Sequence, residues 1–336
     1  MYVRSFAPVL FAVMSLCLSM GSSQSAHPQG TTCNHNDWTE GSWELAANMS
    51  NLHTSRCMGW SFKPSTGCTL PAINANNICR ALECKNVLIV GDSLNRQLSD
   101  ELAKQAGGVP PFHQSPDPKT VKRYRKQAKR HKNSSLRKLG QVHRIDYKIC
   151  ESECVAEGGI LARYWRHDFL FGHYSGYRNL EQDTWVNDAS NGRFHTIILN
   201  TGAHLESYRA SKKVFRDTLS KVSQLALHLQ KVGSNTTVLY RTTPPGHHNC
   251  AAFNTPLESQ PVISKEYSWD KIPDLNTLAR GMLPSYNIRI VDVEHLSSLR
   301  PDCHVSETDC LHLMPEVILA WISVIVKVLD FRSTMD

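Results

Sequence analysis

Ser93 sits where "NVLIVGDSLNRQLSDEL" (Asn86–Leu102) changes texture. Four apolar residues, Val87–Val90, run into Gly91-Asp92-Ser93, and leucines then recur at spacing four. A hydroxyl at such a strand-to-helix junction is held out of the sheet, and the first N–H groups of the helix favour a developing oxyanion. Serine needs a base to become a nucleophile. Asp309 and His312, in "DCLHLMP" (Asp309–Pro315), supply one: three apart on one turn, the carboxylate accepts the imidazole proton and fixes its tautomer. Gly91 permits the tight backbone. Residue 95 is Asn, so the G-x-S-x-G elbow of α/β-hydrolases is not met. Each residue also has an ordinary role open to it. Ser93 can cap its helix, Asn200 a loop and Asp309 a helix, and His312 beside Cys310 can be a satisfied structural histidine.

The elements that must position these residues alternate in type. Val87–Val90 and "TIIL" (Thr196–Leu199) are short continuous apolar runs, as strands buried on both faces should be. Val238–Tyr240 and Ile288–Val291 supply two more. The helix after Ser93 carries Leu94, Leu98 and Leu102 and ends at Gly107-Gly108; another uses Phe215, Leu219, Val222, Ala226 and Leu229 on one face. Pro315 starts a final apolar helix, where its missing N–H costs nothing. Strands separated by helices predict a parallel sheet covered on both sides, with ligands beyond the carboxyl ends of its strands. Those ends carry Gly91-Asp92-Ser93, "NTGAH" (Asn200–His204) and "RTTPPGHHNC" (Arg241–Cys250), and the "DCLH" loop follows the fourth strand.

With 336 residues, 41% of them hydrophobic, the chain can bury its own core. Arg4, an apolar run from Phe6 to Met20 and "GSSQSA" (Gly21–Ala26) follow the grammar of a secretory signal peptide over 1–26, or of an uncleaved signal anchor. Of the eleven cysteines, Cys17 falls in that leader. The other ten form an even set suited to disulfides in an oxidising compartment. Cys150-x3-Cys154 near His143 also has metal-like spacing, though paired cysteines in a secreted chain favour the disulfide reading. Sequons at Asn48, Asn133 and Asn235 agree with passage through the ER. The net charge is +7, yet eleven Lys and Arg and no acid lie between Lys119 and Arg144, so the rest of the chain is net acidic. That segment, a basic insertion over about 112–146, reads as solvated: either it attracts an anionic glycan or membrane surface, or it is merely soluble. The leader argues against a nucleic-acid partner.

"VGDSLNRQ" with a C-terminal "DCLH" resembles the PC-esterase group of the SGNH/GDSL superfamily, which includes trichome-birefringence-like polysaccharide O-acetyltransferases and the sialic-acid O-acetyltransferase type. "CNHNDWTEGSW" (Cys33–Trp43), "WSFKPSTGCTLP" (Trp60–Pro71), "LNTGAH" and "RTTPPGHH" are similar to that family's other blocks, so the likeness runs from about Cys33 to the end. Adjacent Arg96-Gln97 fit the animal-type branch. Leu205-Glu206 stand where the family has a tryptophan pair, and Leu313-Met314 where it has Trp-Cys, which leaves the acceptor sugar open. The resemblance implies an α/β fold, a three-layer α/β/α SGNH-like (flavodoxin-like) domain over 85–332, behind a Cys/Trp-rich cap at 33–84. It implies Ser93 as nucleophile, His312 as base, Asp309 as its orienter, and an oxyanion hole of the Ser93 N–H and Asn200. Gly140, Gly158 or Gly159 are the candidates for a further donor. Arg96, His204, Arg241 and His247, polar residues of the matching blocks, are the expected substrate contacts. No metal or cofactor is expected beyond an acetyl donor as co-substrate, with a glycan or polysaccharide as acceptor in the Golgi lumen or outside the cell. A secreted acetylesterase and a catalytically silent glycan-binding protein are the competing readings. Two geometric expectations follow: Ser93 and His312 lie within hydrogen-bond reach, and Cys310 is bridged to Cys303 or Cys250.

Overall fold

The computed structural model describes residues 38–45, 57–108, 112–114, 144–171, 184–205, 208–259 and 261–330. The leader, Cys33, the sequons at Asn48 and Asn133, His143, Gly140 and most of the basic segment lie outside the described residues. Among those described, no helix is long and apolar enough to cross a membrane.

In chain order the strands are β1 (Gly41–Leu45), β2 (Trp60–Pro64), β3 (Val87–Gly91), β4 (Phe112–Gln114), β5 (Arg144–Ile149), β6 (Ile160–Arg166), β7 (Thr196–Leu199), β8 (Thr237–Arg241), β9 (Arg289–Val291), β10 (His304–Ser306) and β11 (Asp309–Leu313). The helices are α1 (Ala75–Ala81), α2 (Ser93–Gln105), α3 (Thr184–Ser190), α4 (Tyr208–Lys231), α5 (Ile272–Met282), α6 (Glu294–Ser298) and α7 (Pro315–Asp330). A seven-stranded sheet runs β4-β5-β6-β3-β7-β8-β9. From β6 to β9 all neighbours are parallel, while β4 and β5 form an antiparallel edge.

Alternation along β3 divides its side chains between two cores. Val87 and Ile89 join residues of α1, α2 and α7 in one; Leu88 and Val90 join residues of α3, α4 and α5 in the other. The fold is therefore α/β with helices on both faces of a mostly parallel sheet. The parallel strands lie in the order second, first, third, fourth, fifth, so the chain reverses direction between β3 and β7. A doubly wound sheet of this order opens its ligand crevice at that reversal, beyond the carboxyl ends. Ser93 follows β3, and Asn200–His204 follow β7.

Several expectations need correction. The sequence reading had four strands in the sheet and missed β4, β5 and β6. Strand β6, "ILARYWR", hides because Arg163 interrupts its apolar run; the guanidinium is buried, with Asp146 and Asp188 as its partners. The cap is not wholly irregular: β1 and β2 form a hairpin, and Trp43 beneath it donates Nε1–H to Leu296 O at 2.7 Å. Both ends of the basic insertion expected over about 112–146 lie in the sheet, Gln114 opposite Arg144 across β4 and β5.

Disulfides join Cys57 to Cys303, Cys79 to Cys150, Cys84 to Cys154 and Cys250 to Cys310, and Cys68 is also disulfide-bonded. Cys150 and Cys154 are thus not free thiolates for a metal. The bonds fit an oxidising compartment. The Cys250–Cys310 bridge selects one of the two expected partners and fastens the loop after β8 to β11.

That loop is also fixed by close packing. A Cβ on Gly246 would lie 1.9 Å from Trp269 Cε3, closer than any side chain tolerates. Gly246→Ala is expected to cost about 2 to 3 kcal/mol by overpacking, measured as a lower denaturation midpoint in urea.

Candidate active site

The serine end is built on a pinned turn. A Cβ on Gly91 would sit 2.8 Å from both Asn200 O and Asn95 Nδ2, so glycine is demanded here by close approach rather than by a special dihedral. Tyr164 Oη donates to Asp92 O at 2.8 Å and lies 3.2 Å from Gly91 O. Asp92, wholly buried, caps α2 by accepting the Leu94 N–H at 2.9 Å. This frees Ser93 from the capping role: it is the first helical residue, half-buried, with its N–H at the positive end of the helix dipole.

The histidine end is a strand, not the helical turn expected for Asp309-x-x-His312. In a regular strand residues three apart face opposite sides. Here Ser306 pairs with Asp309 and His304 with Leu313, so one residue of β10 opposes three of β11, a bulge of the larger, special kind. The bulge turns Asp309 and His312 toward each other. Asp309 Oδ1 accepts the N–H of Leu311 at 3.2 Å and of His312 at 3.0 Å, while Oδ2 lies 2.8 Å from His312 Nδ1. On the far side of the ring, His312 Nε2 is 2.7 Å from Ser93 Oγ. Asp309 therefore orders the bulge and the imidazole with one carboxylate. Burial would raise its pKa, but the His312 N–H groups and charge prevail and hold it below the ordinary carboxylate value.

Gln97 joins the two ends, a role the sequence reading missed. Its Nε2–H donates to Leu313 O at 2.8 Å and its Oε1 accepts the Leu313 N–H at 3.4 Å. One turn beyond Ser93, it docks the histidine strand onto the serine helix. The signal available was its phase on the helix, four residues after Ser93.

Other expected site residues are placed differently. Asn200 is fully buried, and both its amide hydrogens are committed, to Arg241 O at 3.0 Å and Thr243 Oγ1 at 2.8 Å. As placed it is a floor residue, not an oxyanion donor. Arg241 has no exposed surface either: its Nε–H donates to Asn95 Oδ1 at 2.9 Å and its guanidinium stacks 4.6 Å from the Trp321 ring. Burial pulls its pKa down to about 10, opposed by the Asp92 charge. It underlies the serine turn and offers no surface to a ligand as placed. His247 is likewise interior, 2% exposed, between His304 and Ser298 O. Gly158 and Gly159 lie in the turn before β6, at the amino ends of the parallel strands, whereas Ser93 lies beyond the carboxyl ends, so as placed neither reaches the serine. Arg96 stays half-exposed on α2, paired with Asp100 at 2.6 Å, and His204 is half-buried in the loop after β7. These two remain beside the crevice.

The assembled groups can activate a hydroxyl, fix the imidazole tautomer and stabilise negative charge with the Ser93 N–H. Neither a family model nor a curated protein matches the chain.

Two outcomes are expected from this geometry. Gln97→Ala should cost about 1 to 2 kcal/mol from its two lost backbone bonds and slow covalent modification of Ser93 by a serine-directed phosphonate. The second concerns acid. Burial pushes His247 down to about 3 and His304 to about 4, whereas an unfolded histidine titrates near 6.5. Between those values the unfolded chain binds more protons, so stability is full above about pH 6.5 and is lost as pH falls toward 4 and 3. Thermal melts across that range should show the decline, and His247→Asn should flatten it.

Proposed function

We propose that this protein is a serine-dependent acyl-transfer enzyme of the SGNH/GDSL type, moving acetyl groups on glycans in the secretory pathway. The observation that carries the reading is the relay Ser93 Oγ, His312 Nε2, His312 Nδ1, Asp309 Oδ2, with contacts of 2.7 Å and 2.8 Å, at the reversal point of the sheet. Its disulfides support an oxidising lumen or the cell exterior.

In this reading His312 takes the Ser93 proton as the oxygen attacks the acetyl carbonyl of the donor. The tetrahedral oxyanion forms beside the Ser93 N–H and the amino end of α2. Collapse expels the donor's leaving group, which takes the proton from His312, and leaves an acetyl-serine. A sugar hydroxyl then gives its proton to His312 and attacks, regenerating Ser93 as the ester forms. Asp309 holds the imidazole in one tautomer and stabilises the imidazolium between steps. Hydrolysis is the second reading, favoured by the side chains of His312 and Asp309 being 27% and 37% exposed, open enough for water to replace the sugar.

A fluorophosphonate should label the intact protein and fail to label Ser93→Ala; absence of labelling in both overturns the enzymatic reading in favour of a silent glycan binder. With an activated acetyl ester, oligosaccharide acceptors should divert acetate to sugar. Free acetate released at one rate whatever the sugar would leave an esterase.

A further inference from the structure

Beyond the relay itself, a pair of histidines, His247 and His304, reaches the strand that carries His312. Ser298 O, at the end of α6, lies 2.9 Å from His247 Nε2; His247 Nδ1 lies 2.7 Å from His304 Nε2; His304 Nδ1 lies 3.0 Å from the carbonyl oxygen of His312. The two rings meet edge to face, centroids 4.9 Å apart at 72°. His247 is held in turn by its backbone N–H on Cys310 O at 2.8 Å, and the Cys250–Cys310 bridge ties the same two segments.

We propose that His304 is a positioning residue for His312, donating its Nδ1–H to the His312 carbonyl while buried His247 anchors its far side. The inference rests on the acyl-transfer reading, because it assigns His304 to the alignment of that reaction's base.

Counting protons explains why two histidines are used. Carbonyl oxygens only accept, so the three contacts need three N–H protons, and two neutral imidazoles carry two. A neutral pair bonds two of the three. His304 faces Asp309 and His312 from β11 and His247 from the loop after β8. The Asp309 carboxylate favours a proton on the ring nitrogen turned toward its strand, while His312 and His247 oppose a full charge. His304 Nδ1–H to His312 O and His247 Nδ1–H to His304 Nε2 are then the two bonds kept at neutral pH, and one added proton in acid supplies the Ser298 contact. The bulge gives the brace its purpose. Between Ser306↔Asp309 and His304↔Leu313 the regular register is lost, and His312 is the last residue of that irregular stretch. Fixing its carbonyl limits drift of the imidazole from Ser93, where misplacement by an ångström costs up to a hundredfold in rate.

The test uses the full chain and a fluorophosphonate as probe of Ser93, with labelling rates followed from pH 5 to 9. His304→Phe removes both ring nitrogens and should slow labelling roughly tenfold and shift the pH midpoint of the rate. His304→Asn, whose amide retains a donor at the δ position, should recover most of the loss. Equal rates in wild type and both variants, or an Asn variant as slow as the Phe one, would overturn the proposal. Nitrogen-resolved NMR of the wild-type imidazoles reads the brace without any reaction: His304 Nδ1 should carry a proton at pH 7, and a bare Nδ1 there refutes it. A protonated Nδ1 in a chain whose Ser93 never labels would instead defeat the acyl-transfer reading and leave the brace as a structural feature.

Discussion

One carboxylate organises the candidate site. Asp309 accepts two backbone N–H groups across a bulge and the Nδ1 side of an imidazole three residues on. A strand would have sent those two side chains to opposite faces. The bulge removes that conflict, and the carboxylate stabilises the bulge by satisfying N–H groups that the irregular pairing leaves over. The group that would orient the base thus also creates the backbone shape that lets it do so. Its pKa stays low because the same bonds favour the charged form over the cost of burial.

Around this point the fold supplies two independent clamps. Gln97 locks β11 to the helix that begins at Ser93, and the Cys250–Cys310 bridge locks β11 to the loop after β8. Beneath the serine turn lies a buried polar floor: Asn95 Nδ2 reaches back to Val90 O, Arg241 holds Asn95, and Asn200 holds the Arg241 carbonyl and Thr243. A buried guanidinium carries a large desolvation cost, offset here by oriented carbonyl and amide oxygens, the Trp321 face and the charge of Asp92. Such a floor resists rearrangement because every displaced member would leave an unpaired polar group in low dielectric.

How much of this was legible depended on range. Val87–Val90 and Thr196–Leu199 announced buried strands because parallel strands covered on both faces must be apolar throughout. Strand β6 did not, since Arg163 is paired in the interior by Asp146 and Asp188, partners distant in sequence. Ser93, Asp309 and His312 stood out by residue type and spacing, and the structure brings them together. Arg241, His247 and Asn200 stood out equally, yet they turn inward, and polarity alone does not distinguish a side chain that meets ligand from one that satisfies the interior.

The amino-acid sequence by itself determined the alternation of strand and helix, the placing of polar blocks after strand ends and the supply of cysteines, because each is set by local periodicity and composition. Only the tertiary structure decided which face Asp309 and His312 share, which histidine points at Ser93 and which is interior, and that Gln97 rather than a charged neighbour joins the halves. The meeting of His312 with Ser93 and of Gln97 with Leu313 depends on hydrogen bonds between residues 219 and 216 positions apart. Such bonds form only after the sheet has set their distance, so no local pattern encodes them.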